Sequence, residues 1–280
     1  MKQKPGLFVG ITSRVVLIAV TLAVVFPFLW MIVLSFKSNT EVFNNPFSLP
    51  NFADFQNYAR AFATVDLWLL YRNTIVIAVF SLAIEIVITF MSSFALSKMV
   101  FRATRLKRFF YVFLLAGLAI PPYILLFPVY RLTVLFGLAN TFFSLVVTYV
   151  ATSISFNTLL FTGFLGELPK EIDEASVMDG SGLARLCVSV IAPISKPVIV
   201  TVFIFNVLYI WNEFPFASIL ISKASMYTLS LGASFFKGQW SVDYTGIIAT
   251  SVLVIIPQLV FFGVFQRYIV EGMTAGAVKG

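Results

Sequence analysis

Apolar residues run along this chain in blocks too long for the buried stripe of a soluble helix, and short polar stretches separate them. Transmembrane helices are predicted near residues 15–36, 73–96, 109–129, 141–165, 197–221 and 245–266. At the helical rise, residues 15–36 reach about 33 Å, enough to cross the hydrocarbon of a bilayer. That block exceeds a signal-peptide core and no small-residue cleavage site follows, so it is expected to remain as a span. Pro121, Pro122 and Pro128 predict a kink in the third span. Residues 37–71 and 222–244 read as loops on one side of the membrane.

The longest polar interruption, residues 166–196, has helical order of its own. Glu167, Glu171, Asp173, Glu174 and Asp179 are five of the twelve acids in the chain. On a helix, Leu168, Ile172, Ala175 and Met178 fall within about 120° of arc, with Lys170, Asp173 and Glu174 opposite. Pro169 suits the helix start and Gly180 the stop, where a positive φ is expected. A second helix follows, with Leu183, Leu186, Cys187, Val190 and Ile191 on one face, ended or kinked by Pro193. The segment is therefore predicted as a helix–turn–helix hairpin between the fourth and fifth spans.

Composition agrees with this pattern. The chain of 280 residues is 60% hydrophobic and 11% charged, where a soluble domain is about a quarter charged. The fold class is all-α integral membrane, a single polytopic domain of six transmembrane helices. The net charge of +7 does not gather on one surface, so nucleic acid is not an expected partner and the lipid bilayer is. Thirteen of the nineteen Lys and Arg lie in residues 1–14, 98–108, 166–196 and 267–280. By the positive-inside rule these segments, with the hairpin and both termini, face the cytoplasm. With no histidine and one cysteine, the chain has no histidine-based metal site, Cys–His nucleophile or intrachain disulfide. It also lacks a G-x-x-x-x-G-K-[ST] phosphate loop.

Two acids fall inside the apolar blocks. Glu85 sits in the middle of the second span, where a carboxylate is expensive and a functional candidate by default. In the fifth span, Asn206, Tyr209 and Glu213 share one helical stripe with Asn212 at its edge, a set suited to lining a wet pathway and bonding hydroxyls. The same groups also serve as polar glue between helices.

Three motifs carry a family resemblance. Glu174-Ala175-Ser176, three residues, Gly180, then nine residues to Val190 and Pro193, resembles the EAA motif of ABC-importer permeases, with Ser176 and Ala192 departing from it. Trp211-Asn212 followed by an aromatic two residues on resembles the WN pattern of carbohydrate-importer permeases, and the end of the chain, Gln266 to Gly280, resembles the tail of maltose-type permeases. A weaker likeness lies near residues 45–58. The resemblance implies a non-catalytic permease subunit of a sugar importer, of oligosaccharide type, in the inner (cytoplasmic) membrane of a prokaryote. It implies a second, different permease subunit, a cytoplasmic ATPase dimer that holds the ATP and Mg, and an extracytoplasmic sugar-binding protein. Glu171, Glu174, Ala175, Ser176, Asp179 and Gly180 would then belong to a coupling helix seated in the ATPase. Gly276, Ala277, Val278, Lys279 and Gly280 would reach between the ATPase subunits. No cofactor is implied for this chain. A reading from another class, an ion-coupled secondary sugar carrier using Glu85 and Glu213, would have an ion gradient alone drive uptake.

Overall fold

The computed structural model describes residues 7–52, 54–238 and 242–275. The order is α1 (Leu7–Ser35), α2 (Asn39–Asn44), α3 (Gln56–Thr64), α4 (Leu67–Lys98), α5 (Thr104–Ala116), α6 (Leu126–Leu135), α7 (Phe142–Glu167) and α8 (Lys170–Met178). A composite helix follows, made of α9 (Leu183–Arg185), a π segment (Leu186–Ile191) and α10 (Ala192–Ile194). Then come α11 (Lys196–Asn212), α12 (Pro215–Leu220) and α13 (Tyr244–Ala275). The described residues contain no β-strand, only one bridge between Lys237 and Val242. The chain is all-α, as its pattern predicts.

Helices α1, α4, α7 and α13 are each long and apolar enough to cross a membrane. Two bent pairs pass the same test jointly: Thr104–Ala119 with Pro122–Leu135, bent by 91°, and Leu183–Ile194 with Lys196–Asn212, bent by 73°. Counting each pair as one span gives up to six.

Proline chemistry explains most differences from the sequence reading. The third block is a sharp break rather than a kinked helix, because Pro121 is extended (φ −60°, ψ 122°) and α6 restarts beyond it. Pro128 falls in the first turn of α6, where a missing N–H removes no intrahelical bond. In the fifth block the helix stops at Asn212, and Glu213 is extended (φ −69°, ψ 113°). Pro215 has no N–H for the Trp211 carbonyl, and its ring would meet that carbonyl if the helix ran on. Asn206, Tyr209 and Glu213 therefore do not share one continuous helix. Pro193 neither ends nor breaks its helix. The backbone widens into the π segment ahead of it, and the break comes later, at Ser195. Residues 37–71 are not an irregular loop. They hold α2, started by a Ser38–Glu41 capping box, then α3, then the first turn of α4, where Leu67 and Leu70 are buried.

Two compact units divide the chain, one built up to Asp66 and from Gly232–Ile256, the other from Leu67–Leu231 and the chain after Ile256. In the first, polar bonds organise the turn after α1. Lys37 is 2% exposed and donates to the carbonyls of Asn45 (2.7 Å) and Pro46 (3.0 Å) and to Ser48 Oγ (3.1 Å). Asn57 Nδ2 donates to the carbonyls of Ser35 and Lys37. Asp243 accepts from Asn39 Nδ2, Thr245 Oγ1 and the Gly246 N–H, and pairs with Arg60 at 3.3 Å.

The second unit is built on α4 packed against α7. Both helices are apolar around most of their surface, so amphipathicity does not select the contact face. Small polar residues do. Ser81, Glu85, Thr89 and Ser93 recur every fourth residue on α4 and are all 1% exposed or less. On α7, Ser144, Thr148, Ser153 and Asn157 are buried too. Small side chains let membrane helices approach closely, and packing with hydrogen bonding replaces the hydrophobic drive that lipid removes. One apolar cluster joins Ile77, Leu145, Tyr149, Ile210, Phe216 and Leu220. Another joins Phe90, Phe94, Phe161 and Leu165 to Leu186 and Ile191 of the composite helix.

Candidate functional site

The hairpin begins where α7 ends. Pro169 precedes α8, and Glu171 and Asp173 in its first turn match the positive end of the helix dipole. At the other end the Gly180 N–H bonds to the Val177 carbonyl (2.9 Å) and the Ser181 N–H to the Ser176 carbonyl (3.0 Å). These two bonds form a Schellman motif, and Gly180 takes the left-handed conformation it requires (φ +74°). The positive φ expected at Gly180 is present. Glu171, Glu174, Ala175, Asp179 and Gly180 are exposed, while Ser176 is buried.

The inward face of α8 differs from the expected one. Met178 is 86% exposed and Ala175 is exposed, while Asp173, expected to face water, turns inward. The reason lies on α4. Lys98, in its last turn, has a side chain 4% exposed and meets Asp173 Oδ2 at 3.0 Å. A buried ammonium needs an anionic partner, and satisfying it sets the rotation of α8. Lys98 Nζ also approaches the Leu168 carbonyl at 3.4 Å. Beside this pair opens a groove of about 630 Å³ lined by Val100, Glu174, Val177, Met178, Leu183 and Leu186, among others. The sequence reading placed Lys98 only within the positive segment 98–108, with no partner assigned to it.

A second constellation lies between α7 and α11. Asn206 Nδ2 donates to Asn157 Oδ1 and to the Val202 carbonyl, both at 2.9 Å. The Tyr209 ring packs edge-on against Tyr149 at 5.9 Å, and Phe156 against Phe205 at 5.6 Å. A cavity of about 220 Å³ opens here, lined by Thr152, Ser153, Phe156, Phe205, Asn206 and Tyr209 and reaching Pro122. Glu85 is 1% exposed and lies beside Ser153, with Oε1 unpartnered among the described residues.

Glu213 is placed differently. Its Oε1 accepts the Phe216 N–H (2.7 Å), and its Oε2 accepts the Ala217 N–H (3.0 Å) and the Tyr149 hydroxyl (2.9 Å). It caps α12 and ties it to α7. Asn212 donates to the Leu208 carbonyl at 2.7 Å and is exposed. The α7 residues Tyr149, Thr152, Ser153 and Asn157 escaped the sequence reading, although polar residues recurring along an apolar helix were a usable signal. Gly276, Ala277, Val278, Lys279 and Gly280 lie outside the described residues.

An all-helical chain with several bilayer-length apolar helices has the architecture of an integral membrane protein. Residues 92–275 match the family of binding-protein-dependent transport system inner membrane components, and the chain belongs to that family. It is thus a permease subunit of the ABC-importer class, a non-catalytic kind of subunit. It is 32% identical over 269 residues to the diacetylchitobiose uptake system permease protein NgcG of Streptomyces coelicolor, covering 95% of this chain and 88% of the relative. It is 28% identical to the trehalose/maltose transport system permease protein MalG of Thermococcus litoralis, covering 96% and 98%. The fold matches a chain of a bacterial ABC transporter involved in the import of the acidic polysaccharide alginate, with a TM-score of 0.79, 23% identity, and coverage of 96% and 99%.

Proposed function

We propose that this chain is one of two different permease subunits of an importer that carries an oligosaccharide across the cytoplasmic membrane of a prokaryote. A cytoplasmic ATPase dimer would drive alternating access, and an extracytoplasmic binding protein would deliver the sugar. The sugar class is drawn from the relatives, which are named for disaccharides. In this reading the six blocks of the sequence are six spans, with the hairpin and both termini in the cytoplasm.

The observation that carries the coupling role is the construction of the hairpin. Its exposed residues Glu171, Glu174, Ala175, Asp179 and Gly180 sit on a short helix whose end is braced by the Schellman motif. The Lys98–Asp173 pair ties that helix to α4, and Leu186 and Ile191 tie the hairpin to the core of α4 and α7. A push on α8 therefore passes to the spans instead of being absorbed by a loose loop. Ser176, turned inward, supports the helix from below. The cavity beside Asn206 and Tyr209 is the part of this chain offered to the translocation pathway, with Glu85 behind it. Asn212 is exposed at the end of α11 and lies outside that lining, and Glu213 holds the broken end of α11.

The test replaces Gly180 with valine. A β-branched residue at φ +74° is strained by about 1–2 kcal/mol or more. Gly180→Val is expected to insert normally into membranes yet lose co-purification with the ATPase. Wild-type ATPase binding and sugar uptake in this variant would refute the coupling role.

A further inference from the structure

Five cations gather between the end of α4 and the first turns of α5: Lys98, Arg102, Arg105, Lys107 and Arg108. Lys98 has its anion in Asp173. The side chains of the other four close no ion pair or hydrogen bond with a described residue, and the three arginines are exposed. No acid lies between Glu85 and Glu167 in the chain. Helix α5 itself offers no counter-charge, since Ala103 at its cap makes no side-chain hydrogen bond and its first turn holds no acid. Cations are disfavoured there, at the positive end of the helix dipole. Arg105 and Arg108, three positions apart, are also neighbours on the helix surface, where like charges repel. The positive-inside rule explains why such charges lie on one side of the membrane, but it is indifferent to their grouping at one helix start.

We propose that Arg102, Arg105 and Arg108, with Lys107, hold the phosphate headgroup of an anionic phospholipid where α5 enters the membrane. Clusters of four or more Lys and Arg beside a membrane helix attract anionic lipid. The guanidinium fork matches phosphate oxygens in pairs, so a phosphate between Arg105 and Arg108 turns their repulsion into charge-assisted hydrogen bonds. The next residues of α5 fix the depth. Phe109, Val112 and Phe113 are exposed, and the Phe109 and Phe113 rings stack with centroids 6.0 Å apart. Phe109 lies about 6 Å along the axis from Arg105, so arginines at headgroup level put the rings in the hydrocarbon. An acidic protein surface would meet the arginines and leave those rings uncovered. A lipid covers both, with its phosphate on the guanidinium groups and its acyl chains along the rings. The inference stands on the membrane-spanning class of the chain and not on the solute carried.

The test titrates the full-length chain, delipidated in mild detergent together with the subunits that co-purify with it. The probes are phosphatidylglycerol, phosphatidylcholine and inorganic phosphate, and adducts are counted by native mass spectrometry. Phosphatidylglycerol is expected to saturate a site that phosphatidylcholine and inorganic phosphate do not fill. The double variant Arg105→Gln/Arg108→Gln should weaken that binding about 25-fold, at about fivefold for each cation lost near a charged headgroup. Arg131 and Lys223 are exposed cations elsewhere, so Arg131→Gln/Lys223→Gln removes the same charge and should leave the affinity unchanged. Should the first double variant fail to insert, Arg105→Gln alone, with its fivefold loss, decides the matter. Equal binding of the two lipids, wild-type affinity in the arginine variants, or an equal loss in the control pair would overturn the site. Saturable binding of inorganic phosphate without phosphatidylglycerol would assign the arginines to a soluble anion and overturn the lipid. Unchanged lipid binding with loss of a co-purifying subunit would make the patch a protein contact, which also overturns it.

Discussion

Removing the carboxylate of Asp173 should release the hairpin from α4. Lys98 has a side chain 4% exposed, and among the described residues its ammonium bonds Asp173 and the Leu168 carbonyl, the latter at 3.4 Å. Breaking a buried ion pair from one side typically costs about 3–5 kcal/mol, because the remaining charge stays buried without a partner. Asp173 is 23% exposed, so water reaches part of the pair and the lower end, about 3 kcal/mol, applies. Cys187, the single cysteine, gives a local readout, since it packs with the cluster that seats the composite helix and is half-buried. If its alkylation goes through hairpin opening, a loss of about 3 kcal/mol raises the maleimide rate roughly 100-fold, at about 1.4 kcal/mol per tenfold. Asp173→Ala should show that rise, Lys98→Met alone a much smaller one, and the double variant should fall back toward Lys98→Met. Wild-type alkylation in Asp173→Ala, or additive effects in the double variant, would show that the pair does not hold the hairpin.

Other consequences are as direct. Glu213→Ala strands the buried N–H groups of Phe216 and Ala217 and should destabilise by about 1–3 kcal/mol, measured as a lower thermal midpoint in detergent. Asp243 is pulled up by partial burial, but the Gly246 N–H, Asn39, Thr245 and the Arg60 charge outweigh this and hold it below the usual carboxylate value. A depressed folded-state value adds stability above the ordinary value of 3.8 and loses it as pH falls through the lower one. The midpoint gap between wild type and Asp243→Asn should therefore be constant from pH 8 to about 5 and shrink in stronger acid; a gap that widens on acidification would refute this. A Cβ at Gly117 would strike Ser155 Oγ, so Gly117→Ala should lower the thermal midpoint and Ser155→Ala should restore most of the loss.

Much of the fold was legible because its causes are local. Residues 166–196 declared a hairpin through Pro169, Gly180 and their helical periodicity, and the Schellman turn depends only on a residue that tolerates positive φ. The breaks were less legible. Pro121, Pro193 and Pro215 were visible as letters, yet each resolved differently, as a bend, a π segment and a helix end, according to what lay next to it. Of the site residues, Asn206 and Tyr209 line the cavity and Glu213 does not, because the break at Pro215 turns its carboxylate onto free N–H groups.

Sequence by itself determined the class of molecule, the apolar helices and the hairpin, because bilayer length, charge punctuation and turn chemistry are all written in neighbouring residues. Tertiary structure alone decided which polar residues meet. Lys98 lies 75 positions from Asp173 and Tyr149 lies 64 from Glu213, and no periodicity within one helix reports a partner on another. On helices that are apolar almost all round, the contact face is set by which small and polar groups can be satisfied together, and that is a property of the packed pair.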